Sequence, residues 1–211
     1  MKEFRCFGGS TSQIELDFVE WEATLNFLIK LSIQLYLSEL PPLNTVSVLG
    51  IFGVKRARST VHNWIHKAGL QPTSGKDPDH VAVDETVIQL NDDQYWLYTA
   101  VDPETSKLLY TSLEPTTNTG LAEVFLAELS EKHDVADAVF LIDGASSLQT
   151  ACHRAGYDFR YEKHGNRNAV ERVFRELKRR TICFSNCFSN ASAETADDWI
   201  TSFSFAWNQL I

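Results

Sequence analysis

Apolar positions change period along the chain, and those changes divide it. Residues 19–39, VEWEATLNFLIKLSIQLYLSE, place Trp21, Leu25, Leu28, Ile29 and Leu35 at near-helical spacing, which predicts one amphipathic helix closed by Pro41 and Pro42. Asn44 stands as a candidate N-cap before a short helix, TVSVLGIFG, with Gly53 in the turn that follows. A further helix is predicted from about Ala57 to Ala68. Its apolar side is Val61, Trp64, Ile65 and Ala68, and its other side offers Arg58, Ser59, Asn63 and Lys67. Residues 71–80, QPTSGKDPDH, lose apolar periodicity and collect Pro, Gly and Asp, the composition of a linker.

Beyond residue 80 the period falls to two. VAVDETVIQL (81–90), YWLYTAV (95–101) and KLLYTSL (107–113), separated by NDDQ and DPETS, predict an antiparallel meander. A helix over 119–132 follows, then AVFLID (138–143), a continuous apolar run typical of a strand buried on both faces. SSLQTACHRAG reads as a helix, YDFRYE as a last short strand and 168–181 as another helix, ahead of an aromatic tail at Trp199, Phe203, Phe205 and Trp207 that suits either a core or an interface. The predicted class is α/β: a mixed sheet flanked by helices (81–211), preceded by a small all-α module (1–70) and the linker 71–80.

With 211 residues and 44% hydrophobic side chains, the chain has room and apolar material for a sizeable core, so disorder of the whole chain is excluded. No run approaches the roughly 18 apolar residues of a membrane helix, and MKEFRCFGGS lacks the apolar centre of a secretory signal; a soluble, cytoplasmic protein is expected. Four Cys (Cys6, Cys152, Cys183, Cys187) in such a setting favour reduced thiols, and their spacing gives no convincing zinc cage.

The net charge of −9 argues at first against a nucleic-acid partner, but its distribution argues the other way. Residues 160–180 hold eight Lys or Arg against three Asp or Glu, and KRARSTVHNWIHK (55–67) has four Lys or Arg, two His and no acid. A short helix, a Gly-containing turn and a second helix with this basic outer face describe a helix-turn-helix able to enter a DNA major groove; two helices of an ordinary bundle are the alternative.

Three carboxylates carry the candidate chemistry. Asp84 interrupts an apolar strand, where Asp is disfavoured, so a positive group should lie beside it if it is buried; an exposed edge position is the other reading. Asp143 closes AVFLI ahead of Gly144, and also suits a turn or helix cap. Glu171 could complete a capping box with Asn168 and pair with Arg175, yet it lies in a stripe with Arg175 and Lys178 beside the apolar stripe Val170, Phe174 and Leu177. Two strand Asp and a Glu on a basic helix are hard oxygen donors suited to two Mg²⁺ or Mn²⁺ ions, which activate a water or a 3′-hydroxyl for in-line phosphodiester chemistry.

VAVDET, FLIDGA and NAVERVFRELKRRT, placed after a helix-turn-helix, resemble the DDE transposases of insertion sequences, above all the compact IS six family in its versions from extreme halophiles, over almost the whole chain. The resemblance implies an RNase H-like catalytic domain. It makes Asp84, Asp143 and Glu171 the metal ligands, with Glu176 as the alternative third, because the 28 positions from Asp143 to Glu171 are fewer than is usual in the family. Lys178 matches a basic residue placed on DNA, and Trp96 an aromatic of the second strand with a packing role. The implied activity is cleavage of element ends to give a 3′-OH and its transfer to target DNA, by a homodimer that handles two ends. Arg58, Asn63, Lys67, Arg175, Lys178 and Arg179 are the expected DNA contacts. An RNase H-like nuclease that cuts without joining, and a non-catalytic DNA-binding descendant of a transposase, are the competing readings.

Overall fold

The computed structural model describes residues 16, 23–38, 40–72, 74–162, 165–183 and 192–210. Cys6, Trp21 and Cys187 lie outside them. The chain separates into two compact units, Met1–Gln71 and Pro72–Ile211.

The first unit is helical: α1 (Asn26–Leu37), α2 (Pro42–Ile51) and α3 (Arg58–Ala68) pack pairwise. Leu28, Ile29 and Ile33 of α1, Leu49 of α2 and Val61, Trp64 and Ile65 of α3 form the buried side. Leu25, expected on the apolar face of the first helix, instead stands at the N-cap position of α1 and is exposed. The second helix also starts earlier than the Asn44 cap predicts. Pro41 is the N-cap and Pro42 opens the helix, a position where proline's missing N–H costs nothing because that donor has no intrahelical partner. Gly53 takes φ +75° in the turn before α3, a left-handed conformation that suits a residue without Cβ.

The second unit is a five-stranded sheet between two helical layers. Its strands are β1 (His80–Leu90), β2 (Asp93–Val101), β3 (Leu108–Glu114), β4 (Val139–Ile142) and β5 (Phe159–Tyr161), in the order β3-β2-β1-β4-β5. β1, β2 and β3 form the predicted meander, closed at Leu90↔Asp93 by a tight turn in which Asn91 takes φ +52°. β4 then pairs parallel to β1, and β5 parallel to β4, through α4 (Thr119–Lys132) and α5 (Ser146–Ala155). Asn118 caps α4 by accepting from the Leu121 N–H. This mixed sheet flanked by helices is the RNase H-like arrangement.

Side-chain alternation sends successive residues of each strand to different layers. Val81 and Val83 of β1, Tyr98 and Ala100 of β2 and Phe140 and Ile142 of β4 face α4 and α5, around Phe125, Leu126 and Leu129. Ala82, Leu97, Val101 and Leu141 face the opposite layer, built by α6 (Asn168–Cys183) and α7 (Ala193–Leu210). Val170, Val173, Phe174 and Leu177 bury the apolar stripe of α6 there, each fully buried side chain contributing on the order of 1.5–3 kcal/mol.

The aromatic tail is part of that core: Phe203 is fully buried and Trp199 and Trp207 pack beside it. Asn208 extends the edge of β3 in the manner of a strand, its Oδ1 accepting from Leu108 N (2.8 Å) and its Nδ2 donating to Leu108 O (2.7 Å). Much of the linker sequence is also tied down. Gly75 N donates to Lys132 O, Asp134 N to Lys76 O and Val139 N to Asp79 O, so residues 75–79 run along the second unit as an attached strap.

Candidate active site at the ends of the central strands

The pairing of β1 with β4 determines where two of the carboxylates stand. Ala82 is the register partner of Leu141, and both face the α6 layer. Two residues further along each chain are Asp84 and Asp143, which alternation brings side by side on that same face. Because β4 ends at Ile142, Asp143 projects from the strand end.

Arg167 meets them. Its Nη1 lies 2.7 Å from Asp84 Oδ2 and 3.5 Å from Asp143 Oδ2, and its Nη2 lies 3.3 Å from Glu171 Oε1. Carboxylates from β1, the end of β4 and α6 therefore gather on one guanidinium. The positive group demanded by a buried Asp84, which is 7% exposed, is this arginine. Side-chain exposure rises from 10% at Asp84 to 37% at Asp143 and 49% at Glu171, so the cluster runs from the protein interior to the solvent.

Local structure aims the arginine. Glu162 N donates to Ile142 O at the end of β4, and Glu162 Oε1 accepts from Asn166 N at 2.6 Å. Gly165 takes φ +83°, a left-handed conformation that suits a residue without Cβ, and a Cβ there would displace the Glu162 carboxylate, 2.5 Å away. A 3₁₀ turn over Gly165–Arg167 then runs directly into α6. Asn168 is thus the first residue of α6 and not a cap before it, so the predicted capping box does not form. The i, i+4 partner of Glu171 is Arg167 on the preceding turn, in place of Arg175.

Asp143 is bonded as a turn residue and also reaches the cluster. Its Oδ1 accepts from Ala145 N at 2.8 Å, as a turn aspartate does, while its Oδ2 faces Arg167. Asp84 Oδ1 accepts from Glu85 N at 3.0 Å. Burial pushes the Asp84 carboxyl up to about 6, against the pull of Arg167 and with a further push from Asp143. The neighbouring Glu85, on the α4 face, is raised to about 7 by burial and by the charge of Asp84; its Oε2 is buried with no hydrogen-bond partner.

Lys178 lies two turns along α6 from Glu171 and its Nζ donates to Thr86 Oγ1 at 2.7 Å. Thr86 follows Asp84 on the same face of β1, so the ammonium stands beside the cluster. Arg175 is exposed on the intervening turn. Glu176 is held by Arg179 in a surface pair at 2.8 Å and does not join the cluster. Trp96 is half-buried on β2, opposite Val87. In the first unit Arg58, Asn63 and Lys67 are exposed on α3, away from its buried side.

An all-oxygen donor set of three carboxylates has the chemistry of a Mg²⁺ or Mn²⁺ site. Among the described residues, however, no three His, Cys, Asp or Glu stand close enough to hold an ion as they are, and the three carboxylates are arranged around the guanidinium. Cys152 is buried in the α4 layer, its thiol pushed up to about 12, which leaves it unreactive. Arg167 was not singled out by the sequence, where it is one of eight basic residues; its place before a helix that begins with Asn168 was the available signal.

The fold and the site define an α/β protein with an RNase H-like sheet carrying an acidic cluster at the ends of its central strands. The uncharacterized protein MJ0017 of Methanocaldococcus jannaschii is 30% identical over 155 residues, which span 72% of each chain. The chain belongs to the family of that protein. No family model matches it. Among solved structures, the catalytic core domain of BIV integrase is 15% identical with a TM-score of 0.43, over 62% of this chain and 82% of that one. The HTLV-2 integrase catalytic core domain in complex with magnesium is 16% identical with a TM-score of 0.43, over 61% and 86%. At such values nothing about this chain's chemistry follows from them. Among the described residues no helix is long and apolar enough to cross a membrane.

Proposed function

We propose that the chain is a DDE transposase of the IS six type, which binds the ends of its element, cleaves a strand to leave a 3′-OH and transfers that end to target DNA. The observation that carries the reading is the gathering of Asp84, Asp143 and Glu171, from three separate elements, on one charge centre. Asp84, Asp143 and Glu171 would hold two Mg²⁺ or Mn²⁺ ions once they close on them. Such ions activate the attacking water or 3′-hydroxyl and stabilise the leaving oxygen. Lys178 holds a DNA phosphate beside Glu171, with Arg175 and Arg179 extending the cationic row along α6. Residues 1–70 supply a helix-turn-helix whose α3 face, Arg58, Asn63 and Lys67, reads the element ends, and a homodimer brings two ends together.

The test uses duplex oligonucleotides carrying the inverted repeats expected to flank the gene, with Mg²⁺ or Mn²⁺. Wild-type protein nicks them and joins the new 3′ end to a second duplex. Asp84→Asn loses cleavage by about a thousandfold or more and keeps DNA binding. Arg58→Ala or Asn63→Ala weakens end-specific binding by roughly 1–3 kcal/mol if the residue reads a base. Full cleavage by Asp84→Asn overturns the mechanism. Cleavage without joining identifies an RNase H-like nuclease, and binding without cleavage a non-catalytic descendant.

A further inference from the structure

The cation on which the three carboxylates gather belongs to the chain itself. Arg167 is 8% exposed and bonded through both terminal nitrogens, while its Nε is buried without a partner. The side chain is therefore oriented by the carboxylates, at the expense of its own remaining donor. An arginine stays charged at any pH the protein meets, and its planar fork reaches several oxygens at once. A divalent ion asks for something different. Its oxygens must approach to about 2.0–2.1 Å for Mg²⁺, whereas the guanidinium holds them at 2.7–3.5 Å from its nitrogens and keeps them apart from one another. Guanidinium and metal thus make incompatible demands on the same three carboxylates.

Building on the metal-dependent reading above, we infer that Arg167 is a positioning residue that serves as the counter-ion of the metal-free site, and that metal ions enter by exchange against its guanidinium. Without metal, Arg167 neutralises the charge of the buried Asp84 and draws Asp143 and Glu171 toward it, so the ligands are gathered before an ion arrives. Exchange is open from one side, since Asp143 and Glu171 are the exposed members of the cluster. The cost is weaker metal binding, because metal entry must first displace the bound guanidinium.

The experiment titrates Mn²⁺ and Mg²⁺ into the full chain, read by thermal melting and calorimetry, for wild type, Arg167→Lys and Arg167→Gln. Wild type melts higher with metal. Arg167→Gln melts lower than wild type without metal, yet reaches half-saturation at about a tenfold lower metal concentration or less, since a competing charge at contact distance is gone. Arg167→Lys falls between, because an ammonium is a compact charge that cannot bridge the three carboxylates as a fork. If Arg167→Gln does not fold, Arg167→Lys decides alone through a several-fold drop in the half-saturating concentration. An arginine with a structural role only would lower stability and leave metal affinity unchanged, and that result overturns the inference while leaving the metal reading intact. Absence of any metal-induced shift in both wild type and the variants overturns the two together.

Discussion

The two faces of the sheet are built from the same strands and do opposite things with them. Along β1, Val81 and Val83 enter the α4 layer while Ala82 and Asp84 enter the α6 layer. The α4 layer closes by apolar packing around Phe125 and Phe140, and its buried His133 is satisfied while neutral: Nδ1 accepts from Lys76 N and Nε2 donates to Leu109 O. The α6 layer also packs around Phe174 and Phe203, but at the strand ends it gives way to carboxylates that converge on one guanidinium across more than eighty residues of sequence. A sheet can thus be stabilised through both layers while gathering ion-paired charge at the end of one. The buried acidic group there is costly, as the raised Asp84 shows, so the cluster is weak evidence for stability and stronger evidence for chemistry.

That contrast is tested most severely at Phe125. Truncation to Ala in the α4 layer removes a fully buried ring that packs against Tyr98 and Tyr110, and should cost about 3–5 kcal/mol in denaturant unfolding. A loss below about 1 kcal/mol would show that this layer does not carry the fold. Lys178→Ala, on the other layer, should separate stability from activity. As an exposed side chain it should change unfolding free energy by under about 1 kcal/mol. Strand transfer should slow about a hundredfold if the ammonium positions a phosphate, with a salt slope of DNA binding shallower by about one unit. Lys178→Arg should recover part of the rate. Wild-type rate and salt slope in Lys178→Ala would reduce the α6 stripe to a solvated face.

The smallest effect concerns His133. Burial lowers its affinity for a proton below the ordinary histidine range, against the pull of the Leu109 carbonyl. The unfolded chain then takes up that proton first as pH falls. The contribution is therefore complete above the ordinary histidine pKa of about 6.5 and is lost as pH drops toward the depressed folded value. Protonation also removes the acceptor for Lys76 N, which holds the strap. Unfolding free energy should fall more between pH 7 and pH 5 in wild type than in His133→Gln. Parallel pH profiles would mean that the strap does not depend on the neutral ring.

Periodicity alone located the meander, the buried run at 138–143 and the amphipathic helices, because a period of two or of 3.6 is written in neighbouring residues. It also marked Asp84 and Asp143, since an acid inside or closing an apolar strand is locally out of place. Local rules misled where longer contacts intervened. Asn168 and Glu171 spell a capping box, yet the preceding 3₁₀ turn takes Asn168 into the helix and gives Glu171 to Arg167. The strand pattern could not show that Ala82 pairs with Leu141, and that register is what sets Asp84 beside Asp143. Nor could sequence choose one arginine among eight basic residues. The partners of Arg167 lie 83 and 24 positions upstream as well as four downstream, and only the closed sheet brings them within hydrogen-bonding reach. Sequence determined which elements form and which residue types they carry, because those depend on short-range periodicity and backbone preference. The charge centre was decided by tertiary structure, because the coupling of ionised groups depends on distance in space and on burial, and neither is a property of neighbours in the chain.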